Sequence, residues 1–262
     1  MYTLGIDIGS TTSKCVLLED GNKIAATSLM VAGIGTNGGI KAMDEALEAG
    51  KVKREEVAYI IATGYGRKNF SEADGELSEL SCHAKGVHFD DPRVRTIIDI
   101  GGQDAKVIRL NGKGILESFL MNDKCAAGTG RFLDVMATIL QVPIAEFEDQ
   151  ARSAKEPAKI SSTCTVFAES EVISQLANGS KVECVIAGIC NSVASRVAAL
   201  AKRVGIKEEV FMSGGVARNG GVRDALEREL QVSIKYSEHS QLMGALGAAL
   251  YAYEKAVAAE QA

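Results

Sequence analysis

A short motif that could hold a phosphate chain occurs twice in the sequence. The residues DIGSTTSK run from Asp7 to Lys14, and DIGGQDAK runs from Asp99 to Lys106, so the second copy is numbered 92 higher throughout. Each copy follows an apolar run and turns through small residues into a second such run, as a β-hairpin does. A motif repeated at a fixed offset predicts two similar halves that carry the same turn.

The residue types in the first copy are those of a phosphate-binding turn. Gly9 lets the backbone approach a ligand, Lys14 supplies a positive charge nearby, and the carboxylate of Asp7 can hold Mg²⁺ through water. The hydroxyls able to bind phosphate oxygens belong to Ser10, Thr11, Thr12 and Ser13. The motif therefore predicts a phosphate cradle with an associated metal ion.

The second copy offers a matching turn. Gly101 and Gly102 form it, and Asp99 provides a carboxylate opposite that of the first copy. Gln103 or Asp104 is positioned to orient an attacking water, which makes these two the candidate catalytic residues. One such turn could be an ordinary hairpin, but two in one chain favour a clamp on a single polyphosphate.

A third glycine-rich segment, from Ser213 to Asn219, joins a predicted strand at 209–213 to a predicted helix at about 217–230. A glycine pair between a strand and a helix exposes backbone N–H groups that can bind a nucleotide. The residues that we assign to this contact are Gly214, Gly215, Ala217 and Arg218. Together with the two turns, the segment completes a nucleotide site in three parts.

The elements that position these turns follow the same order in both halves. Periodicity predicts strands at 2–8, 13–20, 23–31 and 57–63 with helices at about 38–49 and 77–88, and then strands at 94–100, 104–110 and 115–120. The second half adds predicted helices at about 126–140, 144–154, 165–178 and 182–204 and a closing helix at about 242–258. We expect the halves at 1–92 and 93–262, with a helical insertion at about 122–178 in the second.

In this order, the three motifs resemble those of the actin/Hsp70/sugar-kinase superfamily. Residues 5–14 resemble its first phosphate motif, residues 99–106 its second and residues 213–219 its adenosine motif. The resemblance implies an α/β fold of two duplicated ribonuclease-H-like halves around an ATP cleft, which binds ATP or ADP with Mg²⁺.

The composition excludes several kinds of protein. Of the 262 residues, 46% are hydrophobic and 24% are charged, as in ordinary globular chains. There is no secretory signal pattern and no apolar run of about 18 uncharged residues, so we expect a cytoplasmic protein without a membrane span. A net charge of −5 without a block of basic residues argues against a nucleic-acid partner.

Two of the six cysteines differ from the rest in their setting. Cys125 and Cys164 each precede a predicted amphipathic helix, the second after a Ser/Thr run suited to capping, and we place both at helix N-termini. From spacing alone, a buried pair, a redox disulfide and a metal ligand set all remain open. Two ligands per chain cannot complete a four-cysteine site, although a symmetric dimer could. The cysteines expected to be packed in the interior are Cys15, Cys82, Cys184 and Cys190.

The segments around Cys125 and Cys164 resemble one family in particular. NDKCAAGTGRFLDVMA and ISSTCTVFAESEVISQL are similar to segments of the activators of 2-hydroxyacyl-CoA dehydratases, which are BadF/BadG/BcrA/BcrD-type ATPases. ATGYGR at 62–67, SELSCHA at 78–84 and TIIDIGGQDAKV at 96–107 are similar to that family as well. The resemblance implies a homodimer that holds one 4Fe-4S cluster through both cysteines of each chain.

The same resemblance implies an activity. ATP hydrolysis would drive one electron from the cluster to a separate 2-hydroxyacyl-CoA dehydratase, with reduced ferredoxin or flavodoxin as the electron source. Two alternatives remain, a small-molecule kinase of the same fold with Asp104 as base, and a nucleotide-regulated assembly factor without iron. Iron content, acceptor-dependent ATP consumption and nucleotide-dependent filaments distinguish the three.

Overall fold

The computed structural model describes residues 1–161 and 164–261. The chain divides into two compact units, each with its own sheet and hydrophobic core. Unit 1 consists of residues 1–94, 110–117 and 241 onward, and unit 2 consists of residues 95–109 and 118–240. Unit 1 is therefore built from both ends of the chain, whereas unit 2 is nearly continuous in sequence.

Strands and helices follow one another much as the periodicity predicts. The strands are β1 (Tyr2–Ile8), β2 (Ser13–Glu19), β3 (Lys23–Met30), β4 (Val57–Thr63), β5 (Gly75–Glu76), β6 (Thr96–Ile100), β7 (Ala105–Leu110), β8 (Leu116–Asn122), β9 (Val210–Ser213) and β10 (Ile234–Lys235). The helices are α1 (Gly38–Gly50), α2 (Glu79–Asp90), α3 (Gly130–Leu140), α4 (Phe147–Ser153), α5 (Thr165–Ala177), α6 (Val182–Val204), α7 (Gly220–Leu230) and α8 (Met243–Glu260). Short 3-10 helices span Arg54–Glu56, Arg67–Asn69, Ile144–Glu146 and Gly215–Arg218.

Three differences from the predicted elements stand out. Strands β5 and β10 were not predicted, because two residues are too short to show alternation. The helix predicted from about 217 is split into the 3-10 helix Gly215–Arg218 and α7. The helix predicted from about 126 begins only at Gly130, which changes the setting of the cysteine before it.

In unit 1, the sheet has the order β3-β2-β1-β4-β5, with β1 antiparallel to β2 and parallel to β4. Helix α1 packs against β2 and β3, while α8 packs against β1 and β4. The approach of α8 is so close that a Cβ at Gly5 would lie 2.0 Å from the carbonyl oxygen of Ala245. The first motif therefore leaves the sheet at the carboxyl end of a strand that is fixed by a helix.

In unit 2, the sheet has the order β10-β9-β6-β7-β8, with β6 antiparallel to β7 and parallel to β9. Helix α6 packs against α4 and α7. By length and composition α6 could cross a membrane, but 67% of its most apolar window is buried, as in the core helix of a globular unit. The second and third motifs leave the sheet at the carboxyl ends of the adjacent strands β6 and β9, where ligands of such sheets bind.

Candidate functional site

The first motif forms a tight turn between β1 and β2. The Gly9 N–H donates to the carbonyl oxygen of Thr12 at 2.9 Å, which closes the turn. The N–H groups of Ser10 and Thr11 have no hydrogen-bond partner among the residues that the structure describes. Consecutive N–H groups at a turn without an internal acceptor are suited to bind an anion such as phosphate.

A carboxylate and a lysine lie beside the first turn. Asp7 is 4% exposed, and its Oδ2 lies 3.1 Å from Lys14 Nζ, because the β1–β2 register pairs these residues directly. Gly64 and Gly244 flank the carboxylate, and a Cβ at these positions would lie 2.4 and 3.1 Å from its oxygens. The absence of a side chain at both positions lets the backbone pack close to the Asp7 carboxylate.

The second motif has the same turn between β6 and β7. The Gly101 N–H donates to the carbonyl oxygen of Asp104 at 2.9 Å. Within the described part of the chain, the N–H groups of Gly102 and Gln103 have no hydrogen-bond partner. The Gln103 side chain is exposed at the tip. The similarity of the two turns, predicted from the repeated motif, is confirmed in their hydrogen bonding.

A buried ion cluster lies beside the second turn. Lys106 is 2% exposed, and its Nζ lies 2.8 Å from Asp104 Oδ1 and 3.4 Å from Asp99 Oδ2. Ser213 Oγ donates to Asp99 Oδ1 at 2.7 Å. Because the Asp104 carboxylate accepts from Lys106, the exposed Gln103 is better placed than Asp104 to orient a water molecule.

The third segment turns sharply after β9. Gly214 has a φ of +84°, and a Cβ there would lie 2.3 Å from the carbonyl oxygen of Ile100, so a side chain is excluded. Gly215 and Arg218 are exposed, so both can reach a ligand. Ala217 is fully buried, and its contribution is packing under the segment.

A separate segment supports the second turn from behind. The N–H groups of Gly130 and Arg131 donate to the carbonyl oxygens of Gly101 and Gly102, both at 2.8 Å. These are the first two N–H groups of α3, so the helix N-terminus bonds to the turn. Sequence reasoning missed this link, because its partners lie far apart along the chain and share no local pattern.

The prediction that Cys125 lies at a helix N-terminus is wrong. Helix α3 has its N-cap at Thr129, four residues after the cysteine. Between them, Gly128 has a φ of +98°, and Thr129 Oγ1 donates to the carbonyl oxygen of Ala126 at 2.6 Å. A residue in the left-handed region cannot belong to an α-helix, so the helix begins later than the apolar periodicity indicates.

Asn122 fixes the backbone of Cys125 instead. Its side chain donates to the Cys125 carbonyl oxygen at 2.9 Å and accepts from the Cys125 N–H at 3.2 Å. Asn122 ends β8, the edge strand of the sheet, and the cysteine is exposed. The thiol is therefore presented to solvent on a turn that is anchored to the sheet.

Cys164 occupies the N-cap position of α5, as predicted, and it is exposed. Its carbonyl oxygen accepts from the Ala168 N–H at 2.9 Å. Of the Ser/Thr run predicted to cap this helix, Ser162 and Thr163 lie outside the described residues. A helix N-terminus stabilises negative charge, as a thiolate bound to iron would carry.

The remaining cysteines are enclosed to different degrees. Cys15, Cys82 and Cys190 are buried, and Cys184 is half-buried. Burial raises the pKa of the Cys82 and Cys190 thiols to about 12 and also raises the pKa of Cys15. Their burial confirms that Cys15, Cys82 and Cys190 are packed in the interior, and it leaves Cys125 and Cys164 as the exposed cysteines of the described chain.

The fold and the three glycine-rich segments define a nucleotide-binding protein of the actin/Hsp70/sugar-kinase class. A ROK family glucokinase from Streptomyces griseus, in complex with glucose and AMPPNP, has this fold in common at 13% identity and a TM-score of 0.57, over 97% of this chain and 100% of that chain. Within this class, the chain belongs to the BadF/BadG/BcrA/BcrD ATPase family, whose model matches residues 4–252.

Two further comparisons extend over almost the whole chain. The (R)-2-hydroxyglutaryl-CoA dehydratase activating ATPase of Acidaminococcus fermentans is 57% identical over 257 residues, which are 98% of this chain and 98% of that protein. The structure of the activator of the 2-hydroxyisocaproyl-CoA dehydratase from Clostridium difficile with bound ADPNP has a TM-score of 0.97 at 52% identity. It covers 100% of this chain and 97% of that chain. The family resemblance and the fold class predicted from the motifs are confirmed.

Proposed function

We propose that this protein is an ATP-driven activator of a 2-hydroxyacyl-CoA dehydratase. It donates one electron to the dehydratase from a 4Fe-4S cluster, and ATP is hydrolysed in the process. One observation carries the proposal: the N-terminus of α3, which follows Cys125, donates hydrogen bonds to Gly101 and Gly102. The turn suited to phosphate and the cysteine segment thus form one bonded unit.

Nucleotide binding rests on the three glycine-rich segments. The backbone groups and side chains that we assign to ATP are Gly9, Ser10, Thr11, Thr12, Lys14, Gly101, Gly102, Gly214, Gly215 and Arg218. Asp7 and Asp99 are the carboxylates assigned to hydrated Mg²⁺. Gln103 orients the attacking water, and Asp104 holds Lys106 in place beside the turn.

Cys125 and Cys164 from each of two copies hold the cluster. When bound, the cluster supplies a low-potential one-electron donor, which reduced ferredoxin or flavodoxin recharges. The residues present fit this group, since both thiols are exposed and Cys164 caps a helix. A four-iron cluster takes four thiolates, and the exposed cysteines of one described chain supply two, so the site needs a homodimer.

The surface beside Cys164 suits burial against a second copy of the chain. On α5, the side chains of Val166, Phe167 and Ile173 are 66%, 68% and 52% exposed. Large apolar side chains grouped on one exposed helix mark an interface, and a second copy is the partner that also completes the ligand set. We therefore assign α5 to the dimer contact.

Hydrolysis acts on the cysteine through the second turn. Loss of the terminal phosphate changes what the Gly102 and Gln103 N–H groups bind, and so changes the preferred orientation of their peptides. Gly130 and Arg131 are bonded to this turn, and they carry the change along the chain to Cys125. Such a step moves one packed segment between two arrangements.

Anaerobic purification followed by iron and sulfide analysis, with the mass in solution, tests the proposal. We expect about one four-iron cluster per dimer, and electron transfer to the dehydratase with ATP but not with a non-hydrolysable analogue. An iron-free monomer that stays iron-free after reconstitution would contradict the proposal and favour a kinase. Because reduced ferredoxin or flavodoxin is the proposed electron source, we also propose that the protein is located in the cytoplasm.

A further inference from the structure

A loop behind the first phosphate turn contacts two of its peptide groups. The loop joins β3 to α1, and its Ile34 N–H donates to the carbonyl oxygen of Gly9 at 2.9 Å. Gly33 is buried, and a Cβ there would lie 2.3 Å from the carbonyl oxygen of Ser10 and 2.7 Å from that of Gly9. Two consecutive residues of the loop thus contact two consecutive carbonyl groups of the turn.

These contacts determine where the neighbouring N–H groups point. In a trans peptide the N–H points opposite to the C=O, so the carbonyl of Gly9 sets the direction of the Ser10 N–H. The carbonyl of Ser10 does the same for the Thr11 N–H. We propose that Gly33 and Ile34 are positioning residues, which aim these two N–H groups at a phosphate without touching the nucleotide. The inference rests on nucleotide binding by this turn, which is part of the proposed function.

Hydroxyl groups on both sides hold the loop in place. Ser13 is 0% exposed, and its Oγ donates to the carbonyl oxygen of Ala32 at 2.7 Å. Thr36 Oγ1 donates to the carbonyl oxygen of Gly33 at 2.7 Å and accepts from the Gly38 N–H at 3.0 Å. Because the enclosed Ser13 hydroxyl is already donated, Ser13 acts through the loop, and not as the phosphate ligand that the motif predicts.

Gly33→Ala tests the inference most directly, with Gly35→Asn as the matched control. Gly35 has a φ of +81°, a Cβ added there would meet nothing within 4 Å, and asparagine tolerates this region of the backbone. Calorimetric titration of the anaerobic dimer with Mg-ADP measures the effect. We expect Gly33→Ala to weaken Mg-ADP binding by about tenfold or more, and Gly35→Asn by less than about twofold. Equal affinities for the two variants would overturn the inference.

A second pair of variants keeps the test independent of packing around Gly33. Thr36 is exposed, so Thr36→Ala removes the hydroxyl without opening the core. We expect the KM for ATP to rise about fivefold with kcat retained, and Thr36→Ser to restore it. A fall in kcat at unchanged KM, with a lowered unfolding temperature, would show a merely structural role and refute the inference.

The readout separates this inference from the electron-transfer proposal. Nucleotide affinity and iron content are measured on the same samples, and none of these variants touches Cys125 or Cys164. If the wild-type protein binds Mg-ADP but holds no iron, the electron-transfer proposal fails while the effect of Gly33→Ala on affinity is still decided.

Discussion

The two phosphate turns are alike on the side that faces the ligand and differ on the side behind it. In both, a glycine N–H closes the turn on a carbonyl three residues later at 2.9 Å, and an aspartate pairs with a lysine across two strands. Behind the turn of unit 1 lies a glycine-containing loop, whereas behind that of unit 2 lies the N-terminus of α3. The two turns therefore share their hydrogen bonding and differ in the segment to which each is attached.

The lysines show the same divergence. Lys14 pairs with Asp7 at 3.1 Å, while Lys106 lies between Asp99 and Asp104 with 2% exposure. Ser213 adds a third contact to Asp99. The Asp99 carboxylate is thus held by a lysine and a serine, whereas a lysine is the side chain described beside the Asp7 carboxylate.

The largest expected effect tests whether the exposed cysteines, which only unit 2 carries among the described residues, hold the cluster. Cys125→Ser or Cys164→Ser removes an exposed thiol from unit 2 and should abolish bound iron, because serine is a poor ligand for an iron–sulfur cluster. Mg-ADP binding should persist, since neither side chain belongs to a phosphate turn. Cys184→Ser, at a half-buried position, is the control and should retain full iron and sulfide content. Full iron in either of the first two variants would sink the ligand assignment.

A smaller effect should follow from the two carboxylates. Asp7→Asn and Asp99→Asn should each lower Mg-dependent ATP hydrolysis by about tenfold or more, and the exposed Asp134→Asn serves as control. Asp99→Asn should also lower the unfolding temperature, because it leaves the buried Lys106 with less compensation, whereas Lys14 is more accessible to water. Unchanged hydrolysis in both variants refutes the metal role.

The smallest effect concerns the link between nucleotide and cysteine. Gly130→Pro removes the N–H that reaches Gly101 while keeping a residue suited to the first position of a helix. We expect ATP hydrolysis to continue within about threefold, but the ATP-dependent change in the visible spectrum of the cluster to be lost. Gly130→Ala keeps the N–H but adds a Cβ 3.1 Å from the Gly101 carbonyl oxygen, so it separates crowding from loss of the hydrogen bond and should retain the spectral response. A full spectral response in Gly130→Pro would show that the signal takes another route.

Much of the fold could be predicted because it depends on local pattern. Alternating or continuous apolar runs gave the longer strands within about two residues, and the repeated motif predicted both turns. Periodicity failed where backbone conformation overrides side-chain pattern. Ala126 and Ala127 extend the apolar pattern of α3, but the left-handed Gly128 prevents helix there, so the cysteine lies on a turn.

The candidate site was predictable in its residue types but not in its supports. Asp7, Asp99 and the glycines follow from chemistry at a turn. The proposed roles of Gly33 and Gly130 follow only from the folded chain, since each residue contacts backbone that is distant in sequence within its unit. A contact with backbone that is distant in sequence produces no local residue pattern, so it cannot be predicted from the sequence.

The tight contact between β1 and α8 has a consequence for the order in which the two units can fold. Because β1 precedes unit 2 along the chain and α8 follows it, the apolar surface around Gly5 is covered only after unit 2 has been synthesised. Unit 2 is almost continuous and can fold during that interval. Unit 1 contains the earlier strands, yet it is the unit that can be completed only once α8 is added.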